Sequence, residues 1–598
     1  MTTRRLLCLL ICLITVATSC SGCFLRNLIG IESDSSSDGS AADNSSEVSD
    51  TSEENNPLPE FLELVADGVA VDVVYPTVAT SSEITLATKV VDLLKALGKA
   101  KAYADDESSK HDPDLVEIVI GYTAYPESRT AFEELGYGEG VIRIIGNKLI
   151  IIANSDSAYS ALSAKISVAL RSGTDENNNI RISSDYSVSV VDNQLVSTIP
   201  VMDDLSLNDV KDGGDGSYVL TFKKGKTSSL DNYIKKLTDN GYEEYAGKTV
   251  DGNRYHTLIN QDNVITAIYT SYNKEIKVIV EKLSDTSLPT KAADNNWTAL
   301  NGVSTTITQI GLHSDSYSGE ERYNGLSLVI RLADGSFIVV DGGHNNTQDV
   351  EKLYKVLEKQ SEDRDIVIAA WIFTHDHGDH TGFFKKFCQS YASKVTVERF
   401  IYNFPSLSEL GENATGLVGS NIIKYFKSSE IVKAHPGQEF YLRNAKIDML
   451  FTNDVWDHNS QALKTQNEAS LVFTVELEGK KLMILGDHYE DRGTLQKLYN
   501  EKTLKSDIMQ VSHHGISNCG TNLYPLIAPE WALWPLGDDH WITETEDRYI
   551  SEHPINAYMK TMDQNKVFMA LDDIVILTID NGNITSQVFE TDAIYLAS

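Results

Sequence analysis

Cysteine is scarce and unevenly placed. The 598 residues hold six, and four of these (Cys8, Cys12, Cys20 and Cys23) lie within the first 23 positions. Only Cys388 and Cys519 remain for the body, and no CxxC pair occurs there, which excludes a disulfide scaffold and a thiolate zinc finger. Positive charge is also short. Lys and Arg together number 51 against 86 Asp and Glu, a net charge of −35. Nucleic acid is therefore not the expected partner, because sequence-independent binding needs cations to neutralise phosphates. Long apolar runs are missing too. Beyond Ala17 no stretch approaches the ~20 residues with which a helix spans a bilayer.

The N-terminus is read as an export signal. Arg4 and Arg5 precede an apolar run, Leu6–Ala17, of signal-peptide rather than membrane-span length. Ala17-Thr18-Ser19-Cys20 resembles a bacterial lipoprotein cleavage box, in which the cysteine is lipidated; Cys23 is the rival. Residues 1–23 are thus expected to be a lipoprotein signal and 24–57 an acidic linker. The stretch 31–56 is rich in Ser, Asp and Glu without Lys, Arg or aromatic residues. It buries too little apolar surface to offset ordering entropy. The location this implies is extracytoplasmic, with a lipid anchor in a bacterial membrane.

Two small modules are expected next. In 58–192, helical spacing over Val90–Ala102, a buried strand at Val116–Gly121, a hairpin turning at Gly146-Asn147 and a helix over Ala158–Leu170 predict an α/β module. Its order of strand, Glu-Leu-Gly, hairpin and helix resembles an accessory domain at the N-terminus of several glycoside hydrolase families; a generic α/β spacer is the other reading. In 193–284, strands at Tyr218–Phe222, Tyr255–Asn260, Val264–Tyr272 and Ile276–Glu281, with a helix over Ser229–Asn240, predict an α+β module. No catalytic constellation shows there. His256 alternates with apolar residues and reads as packed or solvated.

From Trp297 to Ser598 the histidine distribution changes. Eleven of the fourteen histidines fall between His344 and His553. Two hairpins share one plan: Ser327–Leu332 with Phe337–Asp341, and Ser470–Val475 with Lys481–Asp487, each delivering an aspartate at the end of its second strand. The apolar run Ile366–Phe373 then feeds Thr374-His375-Asp376-His377-Gly378-Asp379-His380. Three imidazoles and two carboxylates in six residues at a strand end need something to satisfy them. A divalent cation does so, and this donor set suits zinc, with manganese or iron as alternatives. One such loop can serve two adjacent ions, His375 and His377 facing one, Asp379 and His380 the other. Histidines 435, 458 and 488 read as supporting or surface residues.

HxHxDH after an apolar strand resembles the signature of the metallo-β-lactamase superfamily. Val339-Val340-Asp341-Gly342-Gly343 and Leu485-Gly486-Asp487 are similar to two of its other motifs. Asn467-Glu468-Ala469-Ser470-Leu471-Val472, Met509–Gly515 with its His513-His514-Gly515, and Arg548–Pro554 with its His553-Pro554 resemble the branch of competence proteins and phosphorylcholine esterases. The resemblance implies an α/β multidomain chain whose residues 297–598 form an αββα sandwich. It implies two Zn2+ ions, one held by His375, His377 and His513, the other by Asp379, His380 and His553, with Asp487 bridging. His514 is the alternative to His513, and His540 the rival of His553. Asp341 is expected to orient the metal loop, while His344, His514 and His540 are candidates to face the cleft or back the ligands. Asp376 and Asp487 are the catalytic carboxylates, serving a hydroxide shared by the metals. The diiron oxygen-reducing branch usually carries Glu where His377 stands here, and a flavodoxin partner domain; this chain shows no flavin module.

These features imply a membrane-tethered dizinc phosphodiesterase acting on a small-molecule or cell-surface phosphoester. An extracellular nuclease of the DNA-uptake type and a non-enzymatic, glycan-binding surface lipoprotein are the alternatives. A structural zinc normally has four protein ligands and no open position, which seven candidates for two metals do not supply.

Overall fold

Alternation of apolar and polar positions decides how the layers stack. The computed structural model describes residues 59–597 except 78, 108–110, 192–193, 313–314, 318–319, 323, 407–409, 411–413, 457–462, 489–492, 516–521, 537–555, 571–572 and 591. The export signal, the acidic linker, Cys20, Cys23, His458, Cys519, His540 and His553 lie outside the described residues. Among the described residues, no helix is long and apolar enough to cross a membrane.

The first module is a six-stranded mixed sheet, ordered Ala104–Asp106, Asp72–Tyr75, Glu117–Ile120, Lys148–Ala153, Glu139–Ile145, Ser187–Val191. Its first four strands run parallel, and the Gly146-Asn147 hairpin adds an antiparallel pair. The helix predicted from Val90 begins earlier, at Ser81. Thr80 and Glu83 form a reciprocal capping box that satisfies the first free N–H groups. Leu86, Val90 and Leu94 then face Leu162 and Ile166 of the helix Asp156–Ser172.

The second module is a six-stranded antiparallel sheet, ordered Asp209–Asp212, Tyr218–Phe222, Glu275–Lys282, Asn263–Thr270, Asn253–Ile259, Glu243–Val250. Successive side chains in a strand face opposite ways. Ile276, Val278 and Val280 turn toward the helix Thr227–Asp239, meeting Leu230 and Leu237. Ile279, with Tyr255 and Ile268 from the adjacent strands, turns the other way and packs with Phe451, Leu498 and Tyr499 of the C-terminal region. The sheet is therefore one layer of the domain that follows it.

That domain is built on two stacked sheets. One has nine strands: Glu430–Lys433, Arg399–Tyr402, Ile366–Ile372, Phe337–Asp341, Ser327–Arg331, Thr305–Ile310, Ile574–Asp580 and Asn583–Phe589 in order, with Val395–Val397 alongside. The other has seven: Glu439–Leu442, Ala445–Phe451, Val472–Leu477, Lys480–Ile484, Ile508–Gln510, Trp531–Trp534 and Val567–Met569. Between them Ile338, Val340 and Ile372 meet Phe473, Val475 and Ile484. On the outer face of the first, Trp371, Phe373 and Phe400 pack under the helices Thr347–Ser361 and Phe384–Tyr391. On the outer face of the second, Val472, Met483 and Met509 lie under short helices and the preceding module's sheet. The two hairpins seen in the sequence form, Ser327–Arg331 with Phe337–Asp341 and Val472–Leu477 with Lys480–Ile484. Cys388 is buried and free, its thiol pushed up to about 12 by burial.

Candidate metal centre

The strand Ile366–Ile372 is almost wholly buried and delivers the His-rich loop at its C-terminal end. Asp341, at the end of the neighbouring parallel strand, is fully buried with a left-handed backbone (φ 53°). Its Oδ1 accepts from the Thr374 amide (2.8 Å) and its Oδ2 from the Thr374 hydroxyl (2.6 Å). His380 Nδ1 lies 2.8 Å from Oδ2, so it carries the proton and leaves Nε2 as the free lone pair. With the Thr374 hydroxyl donating to Asp341, His375 Nδ1, 3.1 Å from that oxygen, is the donor in turn. Asp341 thus fixes the tautomer of both His375 and His380, presenting Nε2 in each. Such outer partners set ring orientation and ligand basicity.

Two groups of donors result. His375, His377 and Asp487 form one; Asp379, His380, Asp487 and His514 form the other, with donor atoms within 4.8 Å of one another in each. Asp487 belongs to both. His375 Nε2 lies 3.1 Å from His377 Nδ1 and 3.8 Å from Asp487 Oδ2. His380 Nε2 is 3.1 Å from Asp487 Oδ1, and His514 Nε2 is 3.2 Å from Oδ2 of both Asp379 and Asp487. His380 Nε2, His514 Nε2 and Asp487 Oδ1 are buried without a hydrogen-bond partner among the described residues. Orphaned lone pairs and a carboxylate converging in a dry site are what divalent cations satisfy, so the residues fit a metal pair.

Asp379, His380, Asp487 and His514 interact strongly with one another. Burial raises the carboxyl pKa of Asp379 and of Asp487, but His380 and His514 outweigh it and hold both well below the carboxylate range. Burial works against protonating His380 and His514. The Asp487 and Asp379 carboxylates overcome it, lifting His514 to about 9 and His380 well above an ordinary imidazole. His375 is pushed well down, by burial first and the nearby His380 second.

The ligand expected from His513-His514-Gly515 changes. The resemblance assigns His513 to the His375 group and His553 to the Asp379 group. The structure brings His514 to the Asp379 corner, and His553 lies outside the described residues. Both residues have left-handed backbones, φ 44° and 54°. Trp534 Nε1 donates to the His514 carbonyl (2.7 Å), and His514 Nδ1 reaches the Pro535 carbonyl (3.0 Å). That Nδ1 donor aims Nε2 inward. His513 Nε2 lies 3.8 Å from Asp487 Oδ2, as His375 Nε2 does, and 2.9 Å from Asn467 Nδ2, and burial lowers it to about 4.

Other expected residues take supporting places. Asp376 does not face the cluster's shared space: its Oδ1 takes the hydroxyls of Thr381 (2.9 Å) and Thr415 (2.5 Å), and its Oδ2 the Gly416 amide (2.8 Å). These bonds tie the metal loop to residues 415–416, a positioning role in place of the proton-handling one expected. His344 Nε2 holds the Asn324 carbonyl (2.5 Å), and Asn324 Nδ2 donates to Asp379 Oδ2 (2.9 Å). His435, read as a supporting or surface residue, is fully buried between Glu281 (2.9 Å) and Asp454 (2.8 Å). His488 is buried against Phe451 and lowered to about 3 by burial. Gly486 (φ 54°) lets the chain pass Thr374, where a Cβ would come within 2.9 Å of that residue's own. No role was expected for Asn324, Thr374 or Trp534. Of these only Thr374, directly before His375, had a local signal; Asn467 had one in the motif Asn467–Val472.

Two stacked mixed sheets, with a His/Asp cluster where strand ends meet, define an α/β metallohydrolase type of domain. Residues 321–518 match the family model described as the metallo-beta-lactamase superfamily, and the chain carries a domain of that superfamily, an enzyme domain of the metal-dependent hydrolase kind. Similar solved structures include the metallo-beta-lactamase fold protein YhfI from Bacillus subtilis, at 11% identity over 48% of this chain and 100% of that one, TM-score 0.28. CmlA, a diiron beta-hydroxylase from Streptomyces venezuelae, shares 11% identity over 44% of this chain and 52% of its own, TM-score 0.28. Unliganded yeast PDE1 shares 10% over 35% and 75%, TM-score 0.23. No curated protein matches.

Proposed function

We propose that the chain is an extracytoplasmic, lipid-tethered hydrolase that uses two zinc ions to cleave phosphodiesters. The observation that carries the two-metal part is Asp487, shared between a group of three donors and a group of four. Three protein donors on the His375 side leave coordination open for a reactant, as in catalytic rather than closed structural zinc sites. Bound there, two cations would supply Lewis acidity and make water a nucleophile near neutral pH. The chain's own residues do the rest. Asp341 and Thr374 fix the imidazole tautomers, Asn324 holds Asp379, and Asp376 anchors the loop to residues 415–416. His513 and Asn467, 2.9 Å apart, stand beside Asp487.

The preference for phosphodiesters rests on the His513-His514-Gly515 and Asn467–Val472 elements, and the location on the N-terminal Arg4–Cys20 pattern. Purified protein loaded with zinc or manganese should hydrolyse bis-p-nitrophenyl phosphate and phosphorylcholine esters. Protein with two bound metals and no turnover on either ester would end the phosphodiesterase reading. Radiolabelled fatty acid should enter the wild type but not Cys20→Ala; label in neither would end the tether.

A further inference from the structure

The strand Glu275–Lys282 carries an anomaly visible in its sequence. It is buried on both faces, yet Lys277 and Glu281 sit on the face turned to the C-terminal domain. Both are almost fully buried, 6% and 5% exposed. Charged residues rarely occupy such positions unless their partners repay the desolvation.

Their partners converge on one junction. Lys277 Nζ donates to the carbonyls of Asp454 (2.7 Å) and Trp456 (3.0 Å). Glu281 Oε2 meets His435 Nε2 at 2.9 Å, and His435 Nδ1 meets Asp454 Oδ2 at 2.8 Å. The same Asp454 oxygen accepts from Asn403 Nδ2 (2.8 Å) and the Thr452 hydroxyl (2.5 Å), while Asn403 also donates to the Ala434 carbonyl (2.8 Å). Asn403 precedes Thr415 and Gly416, which hold Asp376 of the metal loop. Asp454 and Trp456 precede Asn467, which meets His513. Between these positions in sequence, Gln466 Nε2 donates to the Leu410 carbonyl at 2.5 Å.

We infer that Lys277 and Glu281 are positioning residues for the metal centre, holding from the preceding module the junction of Asn403, Asp454 and Trp456, which the chain leaves on its way to the residues that meet the metal loop and His513. Deleting the Lys277 ammonium removes its bonds to two buried carbonyls and frees Asp454 and Trp456 to shift. Displacements of about 1 Å at such a junction can cost up to a hundredfold in a reaction that depends on alignment. The module thereby acts on substrate fit rather than on metal capture, since neither residue touches a donor of the two groups.

The test uses the full chain with Lys277→Met, Lys277→Arg and Glu281→Gln. Hydrogen exchange in Lys277→Met should quicken at 452–456 and 403–406 while the strands 275–282 and 445–451 keep their protection. Lys277→Arg should restore slow exchange, and Glu281→Gln, a milder change, should quicken the same two stretches to a smaller degree. Metal content should stay at the wild-type level in all three. The kinetic arm rests on the phosphodiesterase reading: KM for bis-p-nitrophenyl phosphate should rise about tenfold in Lys277→Met with a smaller change in kcat. Unchanged exchange at 452–456, or protection lost evenly along the chain, overturns the inference. If the wild type cleaves no diester, the phosphodiesterase reading fails, and the exchange pattern still decides the positioning role.

Discussion

Replacing Asp341 with asparagine should loosen both metals at once. The side chain keeps its shape, and Oδ1 can still accept from the Thr374 amide. The Oδ2 position becomes an NH2 facing His380 Nδ1 and the Thr374 hydroxyl, both of which donate in the wild type. The imidazole must either lose this bond or take its proton on Nε2, the atom turned toward Asp379 and Asp487. If the Thr374 hydroxyl swings to accept from the new amide, it no longer fixes His375 Nδ1, 3.1 Å away, as a donor. One ligand in each group is then set in the wrong tautomer. Loss of such an outer partner typically lowers metal affinity 10–100-fold, about 1.4–2.8 kcal/mol per ion. Losing a charge-assisted bond in a dry site costs the fold about 1.5–3 kcal/mol besides. Competition against a chromogenic chelator measures both binding steps. Two weakened steps are expected in Asp341→Asn. If only one step weakens, the relay through Thr374 is wrong; if neither does, Asp341 does not govern the ligands at all.

Two further outcomes follow from the structure. In Gly342→Ala, the added Cβ would stand 2.4 Å from ring carbons of Phe383, which stacks on Trp371 with centroids 5.6 Å apart. Overpacking of this kind costs about 1–3 kcal/mol; urea unfolding should show it, and an unchanged midpoint would mean the Phe383 ring can move aside. For His435, burial opposes the charged form, but Glu281 and Asp454 overcome it and raise it to about 10. A raised value means the charge stabilises the fold fully below the ordinary imidazole value of 6.5 and that this is lost as pH rises through about 10. Melting of wild type and His435→Gln should therefore differ most below pH 6.5 and converge as pH rises toward 10; a gap constant with pH would refute it.

What could be read from the chain depended on how local the cause was. The loop His375–His380 follows a buried strand within a few residues, and the two hairpins turn on adjacent residues, so both were legible. At Glu478-Gly479 the turn has two left-handed residues between paired Leu477 and Lys480, a short-range rule. The choice between His513 and His514 was not local. The corner that His514 takes is set by Trp534 and Pro535, 20 and 21 residues further on, which pin its carbonyl and its Nδ1. The tautomer relay through Thr374 depends on Asp341, 33 residues upstream. Alternation in the strand Glu275–Lys282 did put Lys277 and Glu281 on one face, but a strand pattern does not say whether that face meets water or another sheet.

The sharing of Tyr255, Ile268 and Ile279 with Phe451, Leu498 and Tyr499 bears on how this protein can be cut. A fragment starting at Trp297 looks like a natural catalytic piece, since it holds every residue of both donor groups. Such a fragment would expose the apolar ground on which the neighbouring sheet rests, and would leave His435 buried beside Asp454 without Glu281. It should be sticky and poor at folding for reasons unrelated to metal. The smallest workable recombinant form therefore starts before Asp209, the first residue of that sheet. The sequence boundary near residue 285 marks a join in the chain rather than a seam in the folded protein.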